Sequence, residues 1–396
     1  MKGKGDLFLG RRRRCRPLKR VVILGGGVGG TIVANQVARQ MSDDLKKGAL
    51  EVTVITDSEQ HVYQPMFLYL AFDQVVPGEA KKPERELLYR YVKMVVGSAE
   101  HIDPDKKTVA MADGTRVPYD YLVIATGSRP APEQVAGLPE GGHLFYTEEG
   151  ALRLRQALHD FEGGRVVITV GVPHKCPVAP LEFTLMLKAW LEAKGLGQKT
   201  EMVYTYPIGR IHSLEPVAQW AAPVFDDQKI EAHIFFNPEQ VDPDKKTITS
   251  LEGETLDYDL LVAIPPHSGQ DVIGRSQLGD AGQWIPTDRA SLRMKGSDDI
   301  FVLGDATDLP ISKAGSTAHF QADVVAANLI SLLNGGLGSV RYDGKVFCFI
   351  ETGLTKATYI TFDYLNPPKP SEPTEMIHMF KMAYNRLYWL TPAGLL

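Results

Sequence analysis

The sequence predicts an α/β chain of two Rossmann-like domains in tandem, followed by a C-terminal amphipathic helical segment. Three observations lead there. Short β-branched runs alternate with helical patterns such as 31–41 and 181–193, as in parallel sheets covered by helices. A glycine-rich turn joins the first apolar strand to the first helical pattern. The chain also repeats itself. Asp103-Pro-Asp-Lys-Lys-Thr108 recurs as Asp242-Pro-Asp-Lys-Lys-Thr247, and Tyr119-Asp-Tyr-Leu-Val-Ile124 recurs as Tyr258-Asp-Leu-Leu-Val-Ala263, both pairs 139 positions apart.

Upstream, Arg20-Val-Val-Ile23 matches Arg165-Val-Val-Ile168, and the run Glu51–Asp57 loosely matches Glu201–Pro207. Each copy therefore reads as strand, helix, strand and meander. The copies differ where nucleotides bind. In the first, strand Val21–Leu24 runs into Gly25, Gly27 and Gly30 at the G-x-G-x-x-G positions. Such glycines permit a tight turn, close approach of a pyrophosphate, and close helix–strand packing. The next strand, Val52–Thr56, ends in Asp57, an acceptor for ribose hydroxyls. In the second copy the aligned positions are Val170, Val172 and Lys175, with Pro207 in place of the acid. Side chains there fill the room a pyrophosphate needs. The second copy is expected to keep its architecture without NAD(P)H, so electrons must come from another donor.

Composition sets further bounds. With 396 residues, 44% of them apolar, the chain can bury two or three domain cores. A net charge of -5 argues against nucleic acid as a partner. A basic tail is expected over 1–19, carrying Lys2, Lys4, Arg11, Arg12, Arg13, Arg14, Arg16 and Lys19 against Asp6. It reads as a solvated tail or as a segment drawn to anionic lipid. No apolar stretch of signal-peptide length follows it. No run is long enough to span a bilayer, so a membrane would be met from one side, the cytoplasmic face. Cys15, Cys176 and Cys348 fit no zinc spacing, and no metal is expected. The sequence leaves room for a homo-oligomer.

Three more segments match flavoprotein patterns. Tyr121-Leu-Val-Ile-Ala-Thr126-Gly127 looks like the A-T-G segment where the chain leaves a flavin domain. Ile300-Phe-Val-Leu-Gly-Asp305-Ala306 resembles the second flavin fingerprint, in which Asp305 binds a ribityl hydroxyl. Ser312-Lys-Ala-Gly-Ser316 opens a helix whose amides, around Gly315, would face the isoalloxazine carbonyls with Lys313 nearby. Together they imply FAD. The expected FAD/NAD(P)-binding-type domains are 20–130 with 296–345 for FAD, and 131–295 for the copy lacking a nucleotide motif. Residues 346–396 are expected to form the C-terminal segment.

Within the two-dinucleotide-domain flavoproteins, the chain resembles the sulfide:quinone oxidoreductases. His174-Lys-Cys176-Pro-Val-Ala-Pro-Leu-Glu182 is similar to their C-P-x-A-P-x-E segment. Tyr342–Cys348, followed by Glu351-Thr-Gly353, resembles their second redox-cysteine segment. Tyr63-Gln-Pro65 and Pro265-Pro-His267 are also similar. The resemblance implies that Cys176 and Cys348 form a bridge beside FAD. HS⁻ opens it to a persulfide and a thiolate, and two electrons pass through FAD to quinone. It also implies proton transfer at Glu182 and a role for His212. Lys175 is expected to lower the pKa of Cys176. No cysteine stands between Gly127 and Lys175, so the chain looks like a two-cysteine subgroup. Two other readings stay open: a flavin subunit delivering electrons to cytochrome c, and a type II NADH:quinone oxidoreductase.

The stretch 375–390 reads as a helix with Met376, Phe380, Ala383, Leu387 and Leu390 on one face and Met379, Tyr384 and Tyr388 beside them. His378, Lys381, Asn385 and Arg386 lie mostly elsewhere. Such a helix suits a bilayer interface or a packed core, and the resemblance implies peripheral membrane attachment. Phe347 and Phe349 flank Cys348, and strand alternation places both opposite the sulfur, where they would line a quinone pocket or fill core.

Overall fold

The computed structural model describes residues 18–395. Most of the expected basic tail, Cys15 included, lies outside them. The first sheet has five parallel strands in the order Ile300–Val302, Tyr121–Ile124, Lys19–Leu24, Leu50–Thr56 and Lys93–Val96. Its central strand is buried on both faces, which explains the unbroken Val-Val-Ile-Leu run. Val21 and Ile23 pack toward helices Val28–Gln40 and Gly315–Leu333. Val22 and Leu24, pointing the other way, meet a meander that contains Ile102 and Val109.

The second sheet repeats this plan with parallel strands Ile230–Ile234, Thr200–Tyr206, Gly164–Val170 and Leu260–Ile264. Val166, Ile168 and Val170 pack with helix Ala179–Ala193, whereas Val167 meets a second meander. The duplication extends to backbone detail. Both meanders carry a bulge at the same place, between Ala99 and His101 and between Pro238 and Gln240. Asp103 and Asp242 accept from the amides of Lys106 and Lys245, each at 3.0 Å. Gly114 and Gly253 turn the next corner at φ 85° and 87°, where a β-carbon would be strained.

Strands Val346–Glu351 and Ala357–Phe362 form an antiparallel hairpin. Its inward residues Val346, Cys348 and Ile350 join the core around helix Ala179–Ala193. Helix Glu375–Leu387 follows, capped by the Thr374 hydroxyl, and ends in a short 3-10 turn, Tyr388–Leu390. The chain end is then tied back to the first helix. Asn35 donates to the Pro392 carbonyl and Arg39 to that of Ala393. Among the described residues, no helix is long and apolar enough to cross a membrane.

Candidate active site

The first glycine loop has the shape of an anion cradle. A β-carbon on Gly25 would lie 2.3 Å from the Ala125 carbonyl oxygen, and one on Gly30 1.9 Å from that of Gly25. Those two glycines are required by the protein's own packing. Gly27 is different: nothing lies within 4 Å of its β-carbon position. It caps a helix with no acidic residue in its first turn, so the positive helix end faces open space. Asp57 follows the strand end and is exposed. The hydroxyls of Thr126 and Thr317 are buried without a partner, and those of Ser312 and Ser316, equally buried, have only the Cys348 thiol near them. A buried polar atom left unpaired costs about 1–3 kcal/mol, so this grouping fits a polar ligand. Gly127 takes φ 68° beside it, and helix Gly315–Leu333 begins with no side-chain cap. These residues fit FAD.

Asp305 accepts from the Ser128 hydroxyl at 2.9 Å and lies 3.3 Å from the Lys175 ammonium. Burial pushes its carboxyl up, but Lys175 and Lys313 outweigh burial and hold it below the usual range. Lys175, standing at the third lost glycine, thus reaches across to the first domain. Lys313 is turned toward backbone, donating to the carbonyls of Asp305 at 3.0 Å and Thr307 at 2.6 Å. Burial lowers its pKa to about 8.

Cys176 and Cys348 are free thiols brought into one side-chain cluster. Cys176 is half-buried on the loop where the second copy's phosphate turn would be. It takes φ 52°, and its amide donates to the Lys313 carbonyl at 2.8 Å. Burial raises its pKa. The Ala179 amide, Lys175 and Lys381 pull the other way, and Asp305 adds to the rise. Lys175 acts in the expected direction, but desolvation outweighs it and the net shift is upward. Cys348 is pushed up further, by burial and then by Cys176, against the Ser316 and Ser312 hydroxyls.

Glu182, expected from the sequence as a proton-transfer residue, belongs to a group of buried charges for whose other members, Lys381, Glu351 and His378, the sequence predicts no role. Glu182, on the cysteine-proximal turn of helix Ala179–Ala193, is ion-paired with Lys381 and accepts from the Glu351 amide at 3.0 Å. Glu351 accepts from the Tyr69 hydroxyl at 2.7 Å and pairs with His378 Nδ1 at 2.8 Å. Burial raises Glu351, with His378 and Tyr69 opposing. Burial lowers Lys381 to about 7, with Cys176 opposing.

The same helix presents its apolar face outward. Met376, Met379 and Phe380 are 63%, 68% and 61% exposed, while Lys381 and Asn385 are buried. Ala383, Tyr384 and Leu387 are exposed as well. Tyr388 departs from the expected outer face. Its ring is buried, stacked 3.7 Å from Tyr63, and its hydroxyl meets His61 Nε2 at 2.7 Å. His61 in turn pairs with Glu84, which accepts from Thr31 on the glycine-loop helix. Phe347 and Phe349 do lie opposite Cys348, half-buried, in an aromatic group with Tyr359.

His212 is fully buried. Its Nδ1 accepts from the Leu214 amide at 2.9 Å, and its Nε2 has no partner. Burial, and then the neighbouring His174, lower its pKa to about 4. It is a neutral imidazole beside the cysteine loop.

Residues 19–322 match the family described as pyridine nucleotide-disulphide oxidoreductase. The chain is 26% identical over 388 residues to the mitochondrial sulfide:quinone oxidoreductase of Mus musculus, covering 93% of this chain and 85% of that protein. It is 26% identical over 402 residues to the sulfide-quinone reductase of Aquifex aeolicus (strain VF5), covering 93% and 90%. The X-ray structure of the sulfide:quinone oxidoreductase from Aquifex aeolicus has a TM-score of 0.83 at 24% identity, covering 95% of this chain and 92% of that one. NDH2 from Plasmodium falciparum, solved with NADH, has a TM-score of 0.71 at 12% identity, covering 95% and 97%. The fold and the family expected from the sequence are both borne out. The chain belongs to the pyridine nucleotide-disulphide oxidoreductase family, as an FAD flavoprotein similar over most of its length to sulfide:quinone oxidoreductases.

Proposed function

We propose that this protein oxidises sulfide to persulfide, polysulfide or elemental sulfur at Cys176 and Cys348 and passes two electrons through FAD to membrane quinone. One observation carries the reading: the half-buried Cys176 packs against the buried cluster that holds Cys348, far away in sequence, and the segment 312–316 flanks them both. The two free thiols would first give two electrons and two protons to the bound flavin and close a bridge; HS⁻ then attacks that bridge, forming one S–S bond as the other breaks, and leaves a persulfide and a thiolate. Bound FAD supplies the two-electron store between sulfur and quinone. Gly25, Gly27, Gly30 and Asp57 would hold its pyrophosphate and ribose. Thr126, Gly127, Asp305, Lys313 and Gly315 would hold its ribityl chain and ring. Glu182 serves proton transfer, and His212 orients the cysteine loop as a neutral group.

The outward apolar face of helix Glu375–Leu387 supports peripheral attachment to a bilayer, on the cytoplasmic face. Large apolar side chains exposed together on one helix face suit a docking surface. Phe347 and Phe349, on the hairpin beside that helix, would line the quinone entrance.

Anaerobic mixing tests the reading. Sulfide should bleach the flavin, and a quinone should restore its colour. Bleaching by NADH and not by sulfide would instead favour the type II NADH:quinone reading, which Val170, Val172 and Lys175 oppose.

A further inference from the structure

The carboxylate pair beside Cys176 continues to the surface. Lys381 Nζ is paired with Glu182 and lies 3.9 Å from Glu351 Oε1. Glu351 Oε2 is 2.8 Å from His378 Nδ1, and the His378 side chain is 19% exposed. At the inner end, Lys381 and Cys176 each feel the other's charge. The row runs from the neighbourhood of Cys176 to the surface through titratable groups, with 3.9 Å between Lys381 Nζ and Glu351 Oε1 as its widest measured step.

Charge counting says that this row holds an exchangeable proton. Two carboxylates share one ammonium, and Glu351 is completely buried. An unmatched buried anion is costly and is relieved by binding a proton. A structural ion pair would need only Glu182 and Lys381. The second carboxylate and the imidazole have no such necessity.

The reaction proposed above requires a proton from outside. HS⁻ gives up two electrons and one proton, while a quinone takes up two electrons and two protons. Each turnover therefore draws one proton from solvent: HS⁻ + Q + H⁺ gives S⁰ + QH₂. We propose that His378, Glu351 and Lys381 form the inward path for that proton, entering at His378 on the membrane-facing helix. Lys381 gives its proton inward to the quinone oxygen as the quinone takes up two electrons, Glu351 reprotonates Lys381, and His378 restores Glu351 from solvent. His378 and Glu351 act through Lys381 and touch no reactant.

This inference rests on the sulfide and quinone reading, and one experiment separates the two. FAD-loaded protein is reduced with sulfide anaerobically, then mixed with a short-chain water-soluble quinone in weak buffer containing a pH indicator. Flavin reoxidation and proton uptake are followed together. In the wild type, uptake keeps pace with reoxidation. His378→Gln should slow both about a hundredfold, and added imidazole should restore them. Glu351→Gln should slow both without rescue by imidazole. The preceding bleaching by sulfide takes no solvent proton and should keep its rate in His378→Gln. Unchanged reoxidation in both variants, or a His378→Gln defect that imidazole does not mend, overturns the path alone. Failure of sulfide to bleach the wild type overturns the sulfide reading and the path with it.

Discussion

Lys381 and Glu182 are ion-paired in the interior, although Lys381 belongs to a helix whose large apolar side chains face outward. The helix is inverted relative to an ordinary surface helix, with Lys381 and Asn385 packed inward and its large apolar side chains exposed. The pairing is therefore predicted to be strongly cooperative. Lys381→Met should cost about 3 kcal/mol in urea unfolding, because it strands Glu182 without a cation. Adding Glu182→Gln should recover much of that loss. Strictly additive losses would show that the two groups do not depend on each other.

The outward face predicts a separable membrane defect. Met379→Gln with Phe380→Gln removes two exposed apolar groups, each contributing about 1.5 kcal/mol or more on burial in lipid. Binding to anionic vesicles should weaken about a hundredfold, while the melting temperature stays near that of the wild type. Equal sedimentation with vesicles would refute docking through this face.

Periodicity revealed that this helix has two faces but not which one turns inward. That choice depends on Glu182 and Glu351, which arrive from a helix and a strand far away in sequence. Lys381, His378 and Tyr69 left no local signal for the same reason, and neither did the buried His61–Glu84 pair. The legible parts were local in kind. The glycine turn, the duplicated Asp-Pro-Asp-Lys-Lys-Thr corners and the β-branched strands each carry their geometry in adjacent residues. Lys175 shows the limit of adjacency: it neighbours Cys176 in the chain, yet burial outweighs its pull on the thiol, and its ammonium also lies 3.3 Å from Asp305.

The glycine loop predicts different fates for two like substitutions. Gly30→Ala drives a methyl into the Gly25 carbonyl and should reduce folding yield and thermal stability. Gly27→Ala meets no protein atom, so the apoprotein should fold normally but bind FAD at least about tenfold more weakly. Fluorescence titration with FAD checks this. Wild-type affinity in Gly27→Ala would mean that no phosphate approaches there.

Acidification should loosen the second domain through its buried imidazoles. Burial lowers His212 to about 4 and His267 to about 3, both under the unfolded value of about 6.5. Between those limits the unfolded chain binds more protons, so stability is full above about pH 6.5 and declines as the pH falls toward 4. Each residue contributes a slope of about 1.4 kcal/mol per pH unit. His212→Asn, which keeps an acceptor for the Leu214 amide, should reduce that slope in denaturation curves taken at several pH values. An unchanged slope would contradict the assignment.

The most direct measurement is anaerobic addition of sulfide to FAD-loaded Cys176→Ser and Cys348→Ser while the flavin absorbance is followed. Both variants should retain their flavin, and both should fail to bleach on the wild-type timescale. Bleaching at near-normal rates in both would contradict a reaction carried by the two sulfurs together.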